Sequence, residues 1–277
     1  MPDLSEAFSY AFMQRAALAG VFLSICAALT GVTLVLRKSS MIGDGLSHAA
    51  FGAFALALSL GFTPIWFALP VVVAASFVIL HLSRPSASKA SLGLSGDTAI
   101  AILSSASLAI GIFALSLSGG VNVDLNGYLF GSILSVSWSD VIISLILAVL
   151  VILFYIFAHN RIFAITFDED FARSIGVKTW IYDTIFAIIC SIVVVVGMRL
   201  LGSLLISSLI IFPTLIAMRM SRSFKGVVVL AVIVSVVNFL LGLVISYLCS
   251  TPTGATVVIV NLAVLILARI LRRLLAR

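Results

Sequence analysis

Residues 180–218 read WIYDTIFAIICSIVVVVGMRLLGSLLISSLIIFPTLIAM. A helix that crosses a bilayer needs about 20 apolar residues, and this run is about twice that long. It therefore holds two spans only if the chain turns near Arg199–Gly202, and otherwise a single overlong one. The choice fixes the topology of everything around it, because one span more or less moves every later loop to the other side of the membrane.

Outward from this run, apolar stretches fall at 16–36, 46–61, 65–82, 98–118, 140–158, 226–248 and 254–271. With 180–199 and 202–218 counted separately the total is nine, and with them merged it is eight. The bases decide. Arg37 and Lys38, Arg84 and Lys89, then Arg161, Arg173 and Lys178, then Arg219, Arg222 and Lys225, and finally Arg269, Arg272, Arg273 and Arg277 follow the odd-numbered spans. Nine crossings place all of these, fourteen of the sixteen Lys and Arg, on one side and leave Arg15 and Arg199 on the other. Cytoplasmic loops carry the excess of Lys and Arg. The expectation is thus about nine spans, N-terminus outside and C-terminus inside. The first run lacks a clear cleavage site and ends at Arg37-Lys38, so it reads as a span and not as a secretory signal.

Composition agrees. Of 277 residues, 62% are hydrophobic and 9% charged, against about 25% charged in soluble domains. There are too few charged groups to cover a water-facing globule, so an ordinary soluble enzyme, a disordered chain and a nucleic-acid binder are excluded. The expected fold class is all-α, a polytopic transmembrane bundle forming one domain over 1–277. The net charge of +6 reads as a topology signal. Cys26, Cys190 and Cys249 show no pairing or metal-ligand spacing and read as small core residues. Gly93-Leu-Ser-Gly-Asp-Thr98 lacks the lysine of a phosphate-binding loop, and no catalytic residue is expected.

Certain polar residues stand out against this background. Asp44 and His48, in Gly43-Asp-Gly-Leu-Ser-His-Ala-Ala50, share one helix face at i, i+4. A carboxylate and an imidazole so placed could ligate a divalent metal. The same spacing also fits an N-capping Asp with a hydrogen-bonded His one turn on, and both readings stay open. Asp in hydrocarbon costs about 3 kcal/mol, so such residues face a cavity, a partner or an ion path. Two ligands cannot fill a tetrahedral shell, which suits a pathway that releases its ion better than a closed structural site.

Phe167-Asp-Glu-Asp-Phe-Ala-Arg-Ser-Ile-Gly-Val177 predicts a short amphipathic helix. Asp168, Glu169 and Asp170 suit its N-terminus and Gly176 its end. It reads as a docking helix for a cytoplasmic partner, as a solvated loop, or as a three-acid metal site. The stripe of Phe171, Ala172 and Ile175 implies packing. Residues 119–139 are too rich in Gly and Ser for a standard span. They read either as a short helix dipping into the bundle or as an interfacial outer helix. Asn238 and Asn261 read as hydrogen-bonding partners between helices. Asp183 reads as a partner for Lys178, and Arg199 as a snorkelling or outer-gate residue.

Taken together, the chain resembles the permease subunit of metal-ion ABC importers, the group that takes up zinc, manganese or iron. The resemblance rests on the order and spacing of Val35-Leu-Arg-Lys with Gly43–Ala50, Tyr128-Leu-Phe-Gly-Ser-Ile-Leu134, Phe167–Val177, Gly202–Pro213 and Thr251-Pro-Thr-Gly-Ala255, and it covers nearly the whole chain. It implies a type II ABC importer-like fold without an ATPase of its own. It also implies that Asp44 and His48 line the metal path. By the same likeness the 160–178 loop, with Asp168, Glu169, Asp170, Phe171, Ala172, Arg173 and Gly176, meets a cytoplasmic ABC ATPase. The implied assembly is two permease copies in the bacterial inner membrane, two ATPases and an extracytoplasmic metal-binding protein. The divalent ion is cargo, and no cofactor is permanently bound. The competing readings are a secondary transporter driven by an ion gradient, which would need an ionisable relay inside its spans, and a permease for a larger metal chelate, which would favour a wide path without an Asp–His pair.

Overall fold

A computed structural model of the chain describes residues 9–83, 96–118, 125–131 and 135–275. Arg84, Lys89, residues 132–134 and Arg277, all used above, lie outside them. Eleven helices occur among the described residues: α1 (Ala11–Leu36), α2 (Met41–Ser59), α3 (Pro64–Ser83), α4 (Gly96–Leu117), α5 (Leu125–Phe130), α6 (Trp138–Phe167), α7 (Glu169–Ser174), α8 (Thr179–Leu201), α9 (Ser203–Met220), α10 (Phe224–Cys249) and α11 (Thr253–Leu275). Eight of them, α1, α2, α4, α6, α8, α9, α10 and α11, are long and apolar enough to cross a membrane. The helix α3 is apolar too, and its apolar stretch, Pro64–Ile79, is shorter.

The run at 180–218 divides where the sequence allowed it. Gly202 ends α8 and precedes α9 with φ 90° and ψ 156°, a conformation that residues with a Cβ rarely adopt. A Cβ there would also stand 2.4 Å from the Gly131 nitrogen. The short helix α5 therefore tucks its C-terminal end against the break, and it packs on α8, α9 and α11. This backbone is covered by protein at one end of the bundle, which both readings of the segment, a helix dipping into the bundle and an interfacial outer helix, permit.

The helices α1, α2, α8 and α9 form the centre, with 61–72% of their most apolar windows buried. The outer helices α4, α6, α10 and α11 have only 17–39% buried and present Phe113, Ile146, Phe157, Ile233 and Leu267 outward, as lipid-facing surfaces do. Small residues bring the central helices close. A Cβ on Gly31 of α1 would lie 2.0 Å from the Ile210 carbonyl oxygen of α9. Buried hydroxyls turn back to their own helix: Thr30 donates to the Cys26 carbonyl at 2.9 Å, and Ser191 to that of Ala187 at 2.8 Å. Asn238 donates to Asn261 at 2.8 Å across α10 and α11, as the sequence suggests. Cys26 and Cys190 are buried, whereas Cys249 is exposed and not a core residue.

The end of α6 differs from expectation. The helix α6 runs on from the expected end at 158 to Phe167. His159, Asn160 and Arg161 end the apolar run without ending the helix, because polar side chains are compatible with the backbone ladder once it leaves hydrocarbon. Its start is held by a capping box: Ser137 accepts from the Asp140 nitrogen and Asp140 from that of Ser137. Arg199 is no isolated snorkelling residue, since it pairs with buried Asp140 at 3.3 Å. The two ends of the bundle thus differ. One gathers Asp140, Arg199, α5 and Gly202, and the other gathers Arg37, Arg161, Glu169, Arg173 and Asp183.

Candidate metal-contact site and docking helix

The helix α2 begins at Met41, with Ser40 in the cap position. Asp44 is therefore inside the first turn and is not the cap, so the capping reading fails. One side of α2 packs on α9: a Cβ on Gly43 would meet the Ile210 side chain at 3.1 Å, and Ser47 Oγ lies 3.0 Å from Ser207 Oγ. Another side packs on α4, where Gly45 faces Ile100 and Ser104. Asp44 and His48 lie between these two contact faces around the helix and keep partly exposed side chains. Ser207 and Ile210 lie near the middle of α9, so the pair stands at mid-depth of that helix although it is close to the start of its own.

The Asp44 side chain is 44% exposed and that of His48 31%. Its Nε2 stands 3.7 Å from Asp44 Oδ2, too far for a hydrogen bond. Two ligands each about 2.1 Å from a tetrahedral ion stand roughly 3.4 Å apart, so a small rotation would let both reach one ion. The other imidazole nitrogen, Nδ1, is buried and without a hydrogen-bond partner. Metal-bound imidazoles commonly donate through that second nitrogen, and here no protein acceptor locks the ring in one tautomer. Among the described residues no group of three or more His, Cys, Asp and Glu could hold a metal, so the pair offers two ligands and the rest must come from water or another molecule.

The predicted short helix exists. Asp168 is the N-cap of α7, its Oδ1 accepting from the Phe171 nitrogen at 2.8 Å. The end is a Schellman motif with Gly176 as its left-handed residue, as expected. Ile175 is the cap and Gly176 the following residue at φ 84°. Gly176 N donates to the Arg173 carbonyl and Val177 N to that of Ala172, both at 3.0 Å. The apolar stripe is split between two faces. Ala172 is fully buried, while Phe171 and Ile175 are each 57% exposed, beside exposed Phe167. The acids act separately. Glu169 pairs with Arg173 and, at 3.4 Å, with Arg37, and Asp170 is nearly fully exposed, 3.9 Å from Arg173. The geometry gives no three-acid metal site.

Two residues escaped the sequence reading as site residues. Arg37 served there only to mark a side of the membrane, yet its guanidinium donates to Asp183 Oδ1 at 2.8 Å. Asp183 is 2% exposed. An acid placed five residues into an apolar span is the signal that could have found it.

Residues 9–272 match the ABC 3 transport family. The chain is 30% identical over 253 residues to the high-affinity zinc uptake system membrane protein ZnuB of Haemophilus influenzae, covering 91% of this chain and 95% of that one. It is also 30% identical over 250 residues to the manganese import system permease protein ScaB of Streptococcus gordonii, covering 90% and 87%. Among solved structures it resembles PsaBC from Streptococcus pneumoniae in complex with Fab, with a TM-score of 0.83 and 26% identity over 96% of this chain and 95% of that one.

Proposed function

Because the chain belongs to the ABC 3 transport family and is the membrane permease of an ABC uptake system, we propose that Asp44 and His48 are the side chains its divalent metal cargo meets between the two faces of the membrane. ATP is hydrolysed on a separate subunit. The observation that carries the proposal is the mid-depth, half-exposed Asp–His pair with its donors 3.7 Å apart. A charged side chain at that depth needs a partner, a cavity or an ion.

The cargo class is zinc or manganese, the metals of the two named relatives; an oxygen with a nitrogen ligand accepts either. A second copy facing the first would add its own Asp and His, raise the ligand count to four and cover the exposed face of α2. Metal binding needs neutral imidazole. The ion would arrive from an extracytoplasmic binding protein, with the N-terminus outside and the basic end in the cytoplasm of a bacterial cell. There the exposed Phe171 and Ile175 of α7 dock the ATPase. Alternating access then requires the two states to differ in metal affinity.

Asp44→Asn and His48→Ala should each abolish metal uptake into proteoliposomes holding the whole transporter, while the permease still inserts and assembles. Wild-type uptake in both variants would overturn the ligand assignment. Zinc, manganese and ferrous iron supplied in competition would identify the cargo.

A further inference from the structure

The link between α1 and α2 is only four residues, Arg37 to Ser40. It is held by its own backbone: Lys38 N donates to the Val35 carbonyl at 3.1 Å, Ser39 N to that of Leu34 at 2.9 Å, and Ile42 N to that of Ser39 at 3.1 Å. Lys38 takes a left-handed φ of 57°. From this stiff link the Arg37 guanidinium forks. Nη1 reaches Asp183 in α8 at 2.8 Å, and Nη2 reaches Glu169 in α7 at 3.4 Å. Arg173 closes the cluster from the other side, bonding Glu169 and donating to Thr179 at the start of α8 at 3.2 Å. Three elements therefore meet at one guanidinium, and seven residues further along the chain is Asp44.

We propose that Arg37 is the positioning residue that couples the docking helix α7 to the metal-contact helix α2. The inference rests on the reading of α7 and of the Asp44–His48 pair given above. Asp183 is almost completely buried, and leaving such a carboxylate without its partner is strongly unfavourable. A displacement of α7 therefore reaches Arg37 by two routes, directly through Glu169 and through the Arg173–Thr179 bond to α8, whose buried Asp183 keeps the guanidinium with it. Moving α7 and the start of α8 together thus drags the short link, and with it the first turn of α2. The residue must be arginine for this. Its planar fork serves two carboxylates in fixed directions, whereas the lysine ammonium is a single point charge on a flexible stem.

Arg37→Lys separates coupling from simple charge compensation, because the lysine still neutralises Asp183. The test uses the complete transporter in proteoliposomes and counts zinc ions imported per ATP hydrolysed, with manganese in parallel. The expected result is a complex that assembles and hydrolyses ATP within about twofold of wild type but imports at least about threefold fewer ions per ATP. Glu169→Gln, which weakens the other arm of the fork, should lower the same ratio. A wild-type ratio in Arg37→Lys would overturn the inference, and so would failure of that variant to assemble or to hydrolyse ATP, which would make Arg37 a structural counter-ion only. Zinc binding to the detergent-solubilised complex without ATP keeps the two readings apart. It should be unchanged in Arg37→Lys and reduced in Asp44→Asn. Normal zinc binding and uptake in Asp44→Asn would remove the ligand assignment and leave the ion-per-ATP ratio to judge Arg37.

Discussion

At the scale of single residues, the chain spends its few acids on distinct tasks. Asp44 faces the exposed side of α2 with His48, Asp168 caps α7, Asp183 anchors Arg37 and Asp140 serves both a capping box and Arg199. The double duty of Asp140 can be tested. Ser137→Ala removes one half of the capping box and should cost about 1 kcal/mol. Asp140→Ala removes the other half and also strands Arg199, so it should lower thermal stability in detergent further. Equal melting temperatures for the two variants would show that the ion pair contributes nothing. Arg199 is 41% exposed, and solvent screening keeps the extra loss small.

At the scale of elements, the decisive feature is that α7 turns different faces to different neighbours. Ala172 is sealed against the bundle while Phe171 and Ile175, four residues apart, face outward. A six-residue helix cannot hold itself together in water, so its cap, its Schellman end and its ion pair to Arg37 are what keep that face presented. Phe171→Asp should therefore leave the permease folded, with Ala172 still buried, yet greatly weaken co-purification of the ATPase and metal-dependent ATP hydrolysis. Co-purification at the wild-type level with hydrolysis intact would refute the docking role.

At the scale of the whole molecule, two chemically different ends frame a buried centre. If the basic end is cytoplasmic, the α10–α11 turn faces outward. Cys249, at the end of α10, is the exposed one of the three cysteines, which makes it a natural reporter. A membrane-impermeant maleimide added to right-side-out vesicles should label Cys249 without prior permeabilisation and leave Cys26 and Cys190 unmodified. Labelling of Cys249 only after the vesicles are opened would invert the orientation.

The helical bundle and the break at Gly202 were legible in the sequence, because in lipid each span must be long, apolar and internally hydrogen-bonded, and those demands are local; of the nine spans expected, eight helices among the described residues reach spanning length and α3 is the shorter one. Asp44 and His48 were visible as polar groups where polarity is costly, and Phe167–Val177 as a run of acids ahead of an apolar stripe. What stayed hidden depended on contacts between segments distant in the chain. Arg37 reaches Asp183 across 146 positions and Glu169 across 132, and no periodicity or local spacing records such a pairing. The same holds for the burial of Ala172 beside exposed Phe171 and for the contact of α5 with Gly202. The sequence by itself determined that this protein is a helical membrane permease and where its unusual polar groups lie. Only the tertiary structure decided which of them meet, since a side chain's partner is set by how the helices pack against one another and not by the spacing along any one of them.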